Sequence, residues 1–146
     1  MSTANKVLIH RWHEEVWNRK RREAIFEMLH PDATIFGLLV KQGPPLQGAD
    51  EFVAWWERMV RAFPDIQVSV ESTMAEDDKV MARCSVRAKH TGPGPILSMQ
   101  PTLKSVVFTG ICLAQIKDGL IFEAWNNFDF LSLYQQIGVI SFPTKA

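Results

Sequence analysis

The chain has 146 residues, of which 47% are hydrophobic, and its 16 lysine and arginine residues balance its 16 aspartate and glutamate residues. This length and apolar content predict one folded domain over residues 1–146 and exclude a disordered chain. Because the net charge is zero, nothing attracts the whole chain to nucleic acid or to an anionic membrane, and we expect neither partner.

Apolar residues in the first half of the chain recur with helical spacing. This spacing predicts helices over residues 4–17, 22–29 and 50–63. Between the first two helices, the basic run at residues 19–22 is interpreted as a solvated turn. Residues 33–40 are typical of a strand, and the Gly-Pro sequence at residues 42–45 indicates a loop.

The second half of the chain changes to an alternation of apolar and polar residues. This alternation predicts strands over residues 66–72, 80–90, 105–116 and 120–129. Asp118-Gly119 is a strong hairpin signal, and residues 130–137 favour a final helical turn. Helices that precede strands indicate an α+β domain. We predict a cone-shaped α+β barrel, in which the N-terminal helices pack on a strongly curved mixed or antiparallel sheet and enclose one apolar pocket.

The cysteine and histidine residues do not have the spacing of a metal site. Cys84 and Cys112 lie in separate strand patterns without a CxxC motif, and we predict two reduced core thiols. His10 and His13 are three positions apart, but no third ligand accompanies them, so we predict no metal. The sequence also lacks the glycine patterns of phosphate and dinucleotide sites, and we expect no cofactor.

The first residues lack the apolar core of a secretion signal, and no apolar run approaches the roughly 20 residues that span a membrane. Together with two reduced thiols, these features lead us to expect a cytoplasmic protein.

Several parts of the sequence resemble a known family and keep its order. They are WHEEVWN at residues 12–18, LHPDA at 29–33, KHTG at 89–92, and a C-terminal part at 107–138 that contains VFTGI, DGLI, EAWNNFD and QIG. Together they are similar to the SnoaL-like polyketide cyclase (ester cyclase) branch of the nuclear transport factor 2-like superfamily. That superfamily includes cyclases, isomerases, dehydratases, epoxide hydrolases and non-catalytic proteins, so its fold does not assign the chemistry.

Asp129 and His90 are the candidate catalytic residues. Asp129 lies between Phe128 and Phe130, and a carboxyl that is desolvated among aromatic side chains can exchange a proton near neutral pH. The alternative is an aspartate that caps the following helical turn. The resemblance implies that Asp129 is the general acid/base. It also implies that His90, which follows a strand on the face of Cys84, lies near the pocket; the alternative is an exposed loop histidine.

Six further residues are candidates for substrate binding: Trp12, His13, Trp56, Gln115, Trp125 and Asn127. The amide of Gln115 can bond a substrate oxygen or a neighbouring backbone group, and Trp125 and Asn127 share the strand face of Asp129. His13 lies on the apolar face of the first helix, where a core histidine is the alternative. The related ketosteroid isomerases place an oxyanion-donating tyrosine at this position. Aromatic walls suit a flat ligand, although core packing is the simplest interpretation of Trp17 and Trp56.

These residues predict a cofactor-independent enzyme that uses acid/base chemistry on a small apolar carbonyl compound. The resemblance implies an intramolecular aldol cyclisation. The ketosteroid isomerases carry their general base in the first strand. The matching residues here, 34–38, contain no carboxylate, so an isomerase of that kind is disfavoured. Two alternatives stay open, a non-catalytic ligand-binding module and a hydrolase or dehydratase that acts on a lactone, an epoxide or an alcohol.

The resemblance also implies a homodimer, because members of the superfamily commonly pair through the open face of the sheet. Arg83, Ser85 and Arg87 alternate along one strand, which indicates that this face is partly polar.

Overall fold

The structure is a computed structural model that describes residues 2–38, 44–96 and 99–143, and its helices are interspersed with the first strands. The first helix continues into a π-helical segment, His13–Asn18. The α-helices are α1 (Ser2–Trp12), α2 (Arg22–Met28), α3 (Gly48–Ala62) and α4 (Phe130–Gln136). None of these helices in the described ranges is long and apolar enough to cross a membrane.

Six strands form one mixed sheet within the described residues. In chain order they are β1 (Leu29–Phe36), β2 (Leu46–Gln47), β3 (Gln67–Glu76), β4 (Lys79–Lys89), β5 (Ser105–Lys117) and β6 (Leu120–Phe128). Across the sheet the order is β2-β1-β6-β5-β4-β3. Strands β1 and β6 run parallel, and the other neighbouring strands run antiparallel. The prediction of helices packed on a mixed sheet in an α+β fold is therefore confirmed.

The first strand begins earlier than the pattern predicts, at Leu29 rather than at residue 33. Its pairing with β6 changes register between Leu29 and Thr34, and Pro31 lies in that irregular part. A proline without an N–H is tolerated where the regular ladder is interrupted. The short strand β2 was not predicted. The last residues of the predicted strand, 39–40, and the first of the predicted loop, 42–43, lie outside the described residues.

The π-helical segment widens the first helix and ties its end to the sheet. The N–H of Arg19 donates to the carbonyl of Glu14 at 2.8 Å, five residues back. The Asn18 side chain then bonds Val68 twice, accepting from its N–H at 2.7 Å and donating to its carbonyl at 3.0 Å. Because Val68 is in the edge strand β3, this amide extends the sheet and fixes the helical segment that begins at His13.

The two faces of the sheet differ in their exposure to solvent. Helix α1 packs on β3 and β4, and helix α3 packs on β1. The even-numbered residues of β4 and β5 form the buried inner face, and they include Cys84, Val86, Cys112 and Ala114. The odd-numbered residues form the outer face, where Val107 is 59% exposed and Ile111 is 41% exposed. Register shifts in β3 and near the β5–β6 turn interrupt the regular ladder, as β-bulges do where a sheet bends.

A glycine on the inner face makes room for an aromatic ring. Gly110 is opposite Phe128 in the β5–β6 pairing. A Cβ atom on Gly110 would lie 2.1 Å from Cδ1 of Phe128, closer than two atoms can approach. The missing side chain therefore lets the Phe128 ring lie against the sheet.

Candidate functional site

A cavity lies between the helices and the inner face of the sheet. Its empty volume, counting the part that is open to solvent, is about 750 Å³. The helical side includes Trp12, Trp17 and Trp55, and the sheet side includes Ala114, Asn126 and Phe128.

The helical wall of the cavity is aromatic. The Phe52 ring lies 5.2 Å from Trp12 and 5.8 Å from Trp55, centroid to centroid. Trp17 meets Trp55 edge to face, with centroids 5.7 Å apart. Such tilted and edge-to-face contacts hold the rings in fixed orientations and present flat apolar surface to a ligand.

Polar side chains are few on the cavity wall. Among the lining residues that the structure describes, His13 and Cys112 carry the titratable groups and Asn126 carries an amide. The Nδ2 atom of Asn126 donates to the carbonyl of Phe36 at 2.9 Å, across the parallel β1–β6 pair. This bond uses one amide hydrogen and leaves the second for another acceptor.

His13 is 4% exposed and has hydrogen-bonding neighbours on both ring nitrogens. Nδ1 lies 2.9 Å from the carbonyl of Ile9, which can only accept, so Nδ1 carries the hydrogen. In the neutral ring, Nε2 is then the acceptor. Nε2 faces two sulfur atoms, at 3.6 Å from Cys84 and 3.9 Å from Cys112.

The two cysteines are free and buried, as predicted, and they form a cluster with His13. A hydrogen bond from Cys112 lowers the pKa of Cys84 to about 5, together with the neighbouring His13 ring and against the opposing effect of burial. The same bond to Cys84, and then burial, raises the pKa of Cys112. The cluster therefore releases its first proton easily, while the second stays shared between the sulfurs.

Comparisons with known proteins identify the family. A family model described as SnoaL-like polyketide cyclase matches residues 7–137. The chain belongs to the SnoaL-like polyketide cyclase family. No curated protein matches it.

Solved structures show the same fold. AclR of Streptomyces galilaeus, described as a candidate hydroxylase, is 28% identical, with a TM-score of 0.82 over 99% of this chain and 87% of AclR. A candidate SnoaL-like polyketide cyclase from Jannaschia sp. CCS1 is 21% identical, with a TM-score of 0.82 over 96% of this chain and 95% of that one. IdmH of Streptomyces antibioticus, described as a candidate polyketide cyclase, is 24% identical, with a TM-score of 0.76 over 92% and 98% of the two chains. The predicted cone-shaped α+β fold of the SnoaL-like family is confirmed.

Of the residues predicted from sequence to form the site, Trp12 and His13 line the cavity. Trp56 does not; it is buried beside the cavity wall, and its Nε1 donates to the carbonyl of Val16 at 3.2 Å. The expectation that Trp56 faces the ligand is wrong, because the helix turns its neighbour Trp55 toward the cavity instead. Trp17, interpreted as core packing, is a lining residue.

Three predicted binding residues are on the outer face of the sheet. Gln115 bonds Asp78 at 3.0 Å between its Nε2 and the carboxylate, and Trp125 stacks on Phe36 with centroids 5.9 Å apart. Asn127 is exposed. The prediction that they face the pocket is wrong, because neighbouring residues of a strand point to opposite faces and the even-numbered residues are the ones that face inward. Ala114, Asn126 and Phe128 line the cavity in their place.

His90 is fully buried, but it does not line the cavity, so neither its expected pocket position nor the alternative of an exposed loop is correct. Nδ1 accepts from the N–H of Thr102 at 3.2 Å, and Nε2 donates to the carbonyl of Gly94. The ring also packs 5.2 Å from Phe63. His90 therefore holds together the two ends of the segment that joins β4 to β5, and both nitrogens are occupied there.

Asp129 is exposed and is not a lining residue, although its chain neighbours Phe128 and Phe130 both line the cavity. Its Oδ1 accepts from the N–H of Ser132 at 3.0 Å, so the carboxylate caps helix α4. The expected desolvation between the two aromatic rings is thus absent, because the strand turns this side chain away from them.

Residues 2–38, 44–96 and 99–143 contain no group of three or more histidine, cysteine, aspartate or glutamate side chains that could hold a metal ion. Cys112, Asn126 and Phe128 line the cavity but were not predicted to do so. In β5 the even-numbered residues around Cys112 are all apolar, so the buried face of this strand can be predicted from its pattern. No local feature of the sequence, however, shows that Cys84 and Cys112 lie beside His13.

Proposed function

We propose that this protein is an enzyme that binds a small, largely apolar carbonyl compound in the cavity and catalyses its intramolecular aldol cyclisation. One observation carries the proposal: a buried histidine lies in the wall of a cavity that is otherwise almost entirely apolar and aromatic. A base in such a site acts on a substrate that is shielded from water. Membership of the SnoaL-like polyketide cyclase family supports a cyclase-type activity.

In this proposal His13 moves the proton. Its Nε2 takes a proton from the carbon next to one carbonyl group, and the resulting enolate carbon attacks a second carbonyl of the same molecule. A carbon–carbon bond forms, and the new alkoxide takes the proton back from His13. In the same proposal, the amide hydrogen of Asn126 that does not bond Phe36 donates to the carbonyl oxygen as charge develops there. These steps balance with side chains alone.

Asp129 is the second candidate for the proton transfer, because the family resemblance assigns it the general acid/base role. Its position between two lining residues supports a role at the cavity, and its exposed, capping carboxylate weighs against one. The two candidates therefore predict opposite outcomes for the same pair of variants.

The test is the exchange of α-protons of 2-tetralone, an apolar bicyclic ketone, for solvent deuterium. We expect the protein to accelerate the exchange, His13→Gln to remove at least about 90% of the acceleration, a loss within the range of general acid–base catalysis, and Asp129→Asn to keep most of it. Loss of exchange in Asp129→Asn alone would transfer the role to Asp129. No acceleration by the wild type, with the ketone shown to be bound, would contradict the enzyme proposal.

A non-catalytic binding module is a second candidate function. It is favoured by the hydrogen-bonding neighbours on both nitrogens of His13, which hold the ring in a structural arrangement. Quenching of the cavity tryptophans by 2-tetralone, without any α-proton exchange, would support this function instead.

We also propose a homodimer that forms through the outer face of the sheet. The exposed apolar side chains Val107 and Ile111 on β5 lie beside the arginines of β4, which gives an apolar centre with polar surroundings. Sedimentation equilibrium tests this: we expect a dimer for the wild type and a shift toward monomer for Ile111→Asp. A wild-type protein that is monomeric at all concentrations would remove the proposal.

The location that we propose is the cytoplasm. The support is a pair of free thiols beside a histidine, an arrangement that a reducing compartment preserves.

A further inference from the structure

The cavity wall contains a thiol that neither the family assignment nor the cyclisation uses. We propose that Cys112 is a nucleophile that adds covalently to α,β-unsaturated carbonyl compounds that enter the cavity. Both proposals use Nε2 of His13, but this inference stands without the aldol chemistry, because the bond that forms joins the Cys112 sulfur to the ligand.

The first support is position. Cys112 lines the cavity and is 5% exposed, whereas Cys84 is fully buried and is not a lining residue. In the β4–β5 register, Cys112 pairs with Ala82 and Cys84 pairs with Gly110, so the cysteines are diagonal neighbours on the inner face. Diagonal Cα atoms are typically about 7–8 Å apart, beyond the usual span of a disulfide. The register therefore favours a pair of interacting thiols over a cross-link.

The second support is the arrangement of base and orienting group. Nε2 of His13 lies within sulfur hydrogen-bonding distance of both thiols, at 3.6 Å and 3.9 Å. Its other nitrogen donates to the carbonyl of Ile9, which fixes the ring. A nucleophile, a base within reach and a third group that orients the base are the parts of an activated thiol site.

The third support is the shared proton. Cys84 is the more acidic sulfur, with a pKa lowered to about 5 by its bond from Cys112 and by His13. Glu71, on the adjacent strand β3, opposes this effect by its negative charge. Above about pH 5 the two sulfurs therefore share one proton, and Cys112 attacks in the form in which that proton lies on Cys84.

The step balances without an oxidant or a reductant. A lone pair of the Cys112 sulfur forms a bond to the β-carbon, and the proton of Cys112 passes to Cys84. The electrons of the carbon–carbon double bond move to give the enolate, which is protonated at the α-carbon through the His13–Cys84 pair. The net change is the addition of S–H across the double bond.

The probe for this proposal is N-ethylmaleimide, a small α,β-unsaturated carbonyl compound, with the adducts counted by intact mass and located by peptide mapping. We expect the folded wild type to take up one maleimide, at Cys112, and Cys112→Ser and Cys112→Ala to take up none. In Cys84→Ser the adduct still forms at Cys112. Its rate, however, falls about tenfold per pH unit below neutrality, since Cys112 then depends on its own ionisation. In the wild type the rate is nearly constant between about pH 6 and about pH 8.

Circular dichroism shows whether each variant is folded, and the use of two Cys112 variants and of Cys84→Ser keeps the test decisive if one of them fails to fold. Three results would overturn the proposal: no adduct on the folded wild type, an adduct at Cys84 first, or a wild-type pH profile equal to that of Cys84→Ser.

Discussion

The inner and outer faces of strands β4, β5 and β6 carry different chemistry, although their residues alternate along the same strands. The inner face holds the two thiols, the Asn126 amide and the Phe128 ring, all in contact with the cavity or its histidine. The outer face holds Gln115, Trp125 and Asn127. A shift of one residue in the strand therefore decides which amide and which aromatic ring can contact a ligand in the cavity.

The largest expected effect comes from adding one methyl group to the inner face. Gly110→Ala places a Cβ atom against the Phe128 ring and 2.7 Å from its Cα, so the ring and the strand must both shift. We expect a loss of about 1–3 kcal/mol in the free energy of unfolding, measured by urea denaturation. Thr109→Ala, on the exposed outer face of the same strand, is the matched control and is expected to change stability by less than about 0.5 kcal/mol. Equal losses in the two variants would contradict the difference between the faces.

The next effect is a pH dependence that belongs to the inner-face thiols. The pKa of Cys84 is lowered from 9.0 to about 5, so the unfolded state binds more protons than the folded state between these values. The free energy of unfolding therefore rises with pH across this window, and this contribution is lost as the pH falls to about 5. The raised pKa of Cys112 acts above its ordinary value of 9.0, outside the window.

Urea denaturation of the wild type and of Cys84→Ser at about pH 5.5 and about pH 7.5 isolates this contribution. We expect the wild type to gain on the order of 1 kcal/mol more than the variant between the two pH values. An identical pH dependence in both proteins would show that the thiol of Cys84 keeps its ordinary pKa in the folded state.

A smaller effect on stability is expected at Asp129, which caps helix α4 and does not line the cavity. Asp129→Ala removes the acceptor of the Ser132 N–H, and we expect it to lower stability by about 1 kcal/mol. Asp129→Asn keeps a capping oxygen and is expected to be nearly neutral. If both variants were neutral in thermal denaturation, the carboxylate would not be a helix cap in solution.

The sequence predicted the helical wall of the site better than the strand wall. Spacing of 3.6 residues places Trp12 and His13 on one apolar face, and this face turned out to line the cavity. In β6 the alternation is weak, because Asn126 and Asn127 follow each other and Trp125 is apolar on the outer face. The pattern therefore gave no reason to choose the correct parity there.

Two features of the structure depend on contacts between distant parts of the chain. His90 is buried because the segment after β4 folds back and supplies Gly94 and Thr102 as partners. The cluster of His13, Cys84 and Cys112 needs the helix, both strands and their register at once. No periodicity within one segment depends on such contacts, so they cannot be predicted from the sequence pattern.

The measurement that tests the cavity assignment most directly uses the five tryptophans as reporters. In a ¹⁵N-labelled sample each indole N–H gives one NMR signal, which single Trp→Phe variants assign, and 2-tetralone is then titrated into the protein. We expect the signals of Trp12, Trp17 and Trp55 to shift, whereas the signal of Trp125 on the outer face and that of Trp56 in the core stay in place. Shifts at Trp125 with no change at Trp12 and Trp55 would contradict the account, because the ligand would then bind the outer face of the sheet.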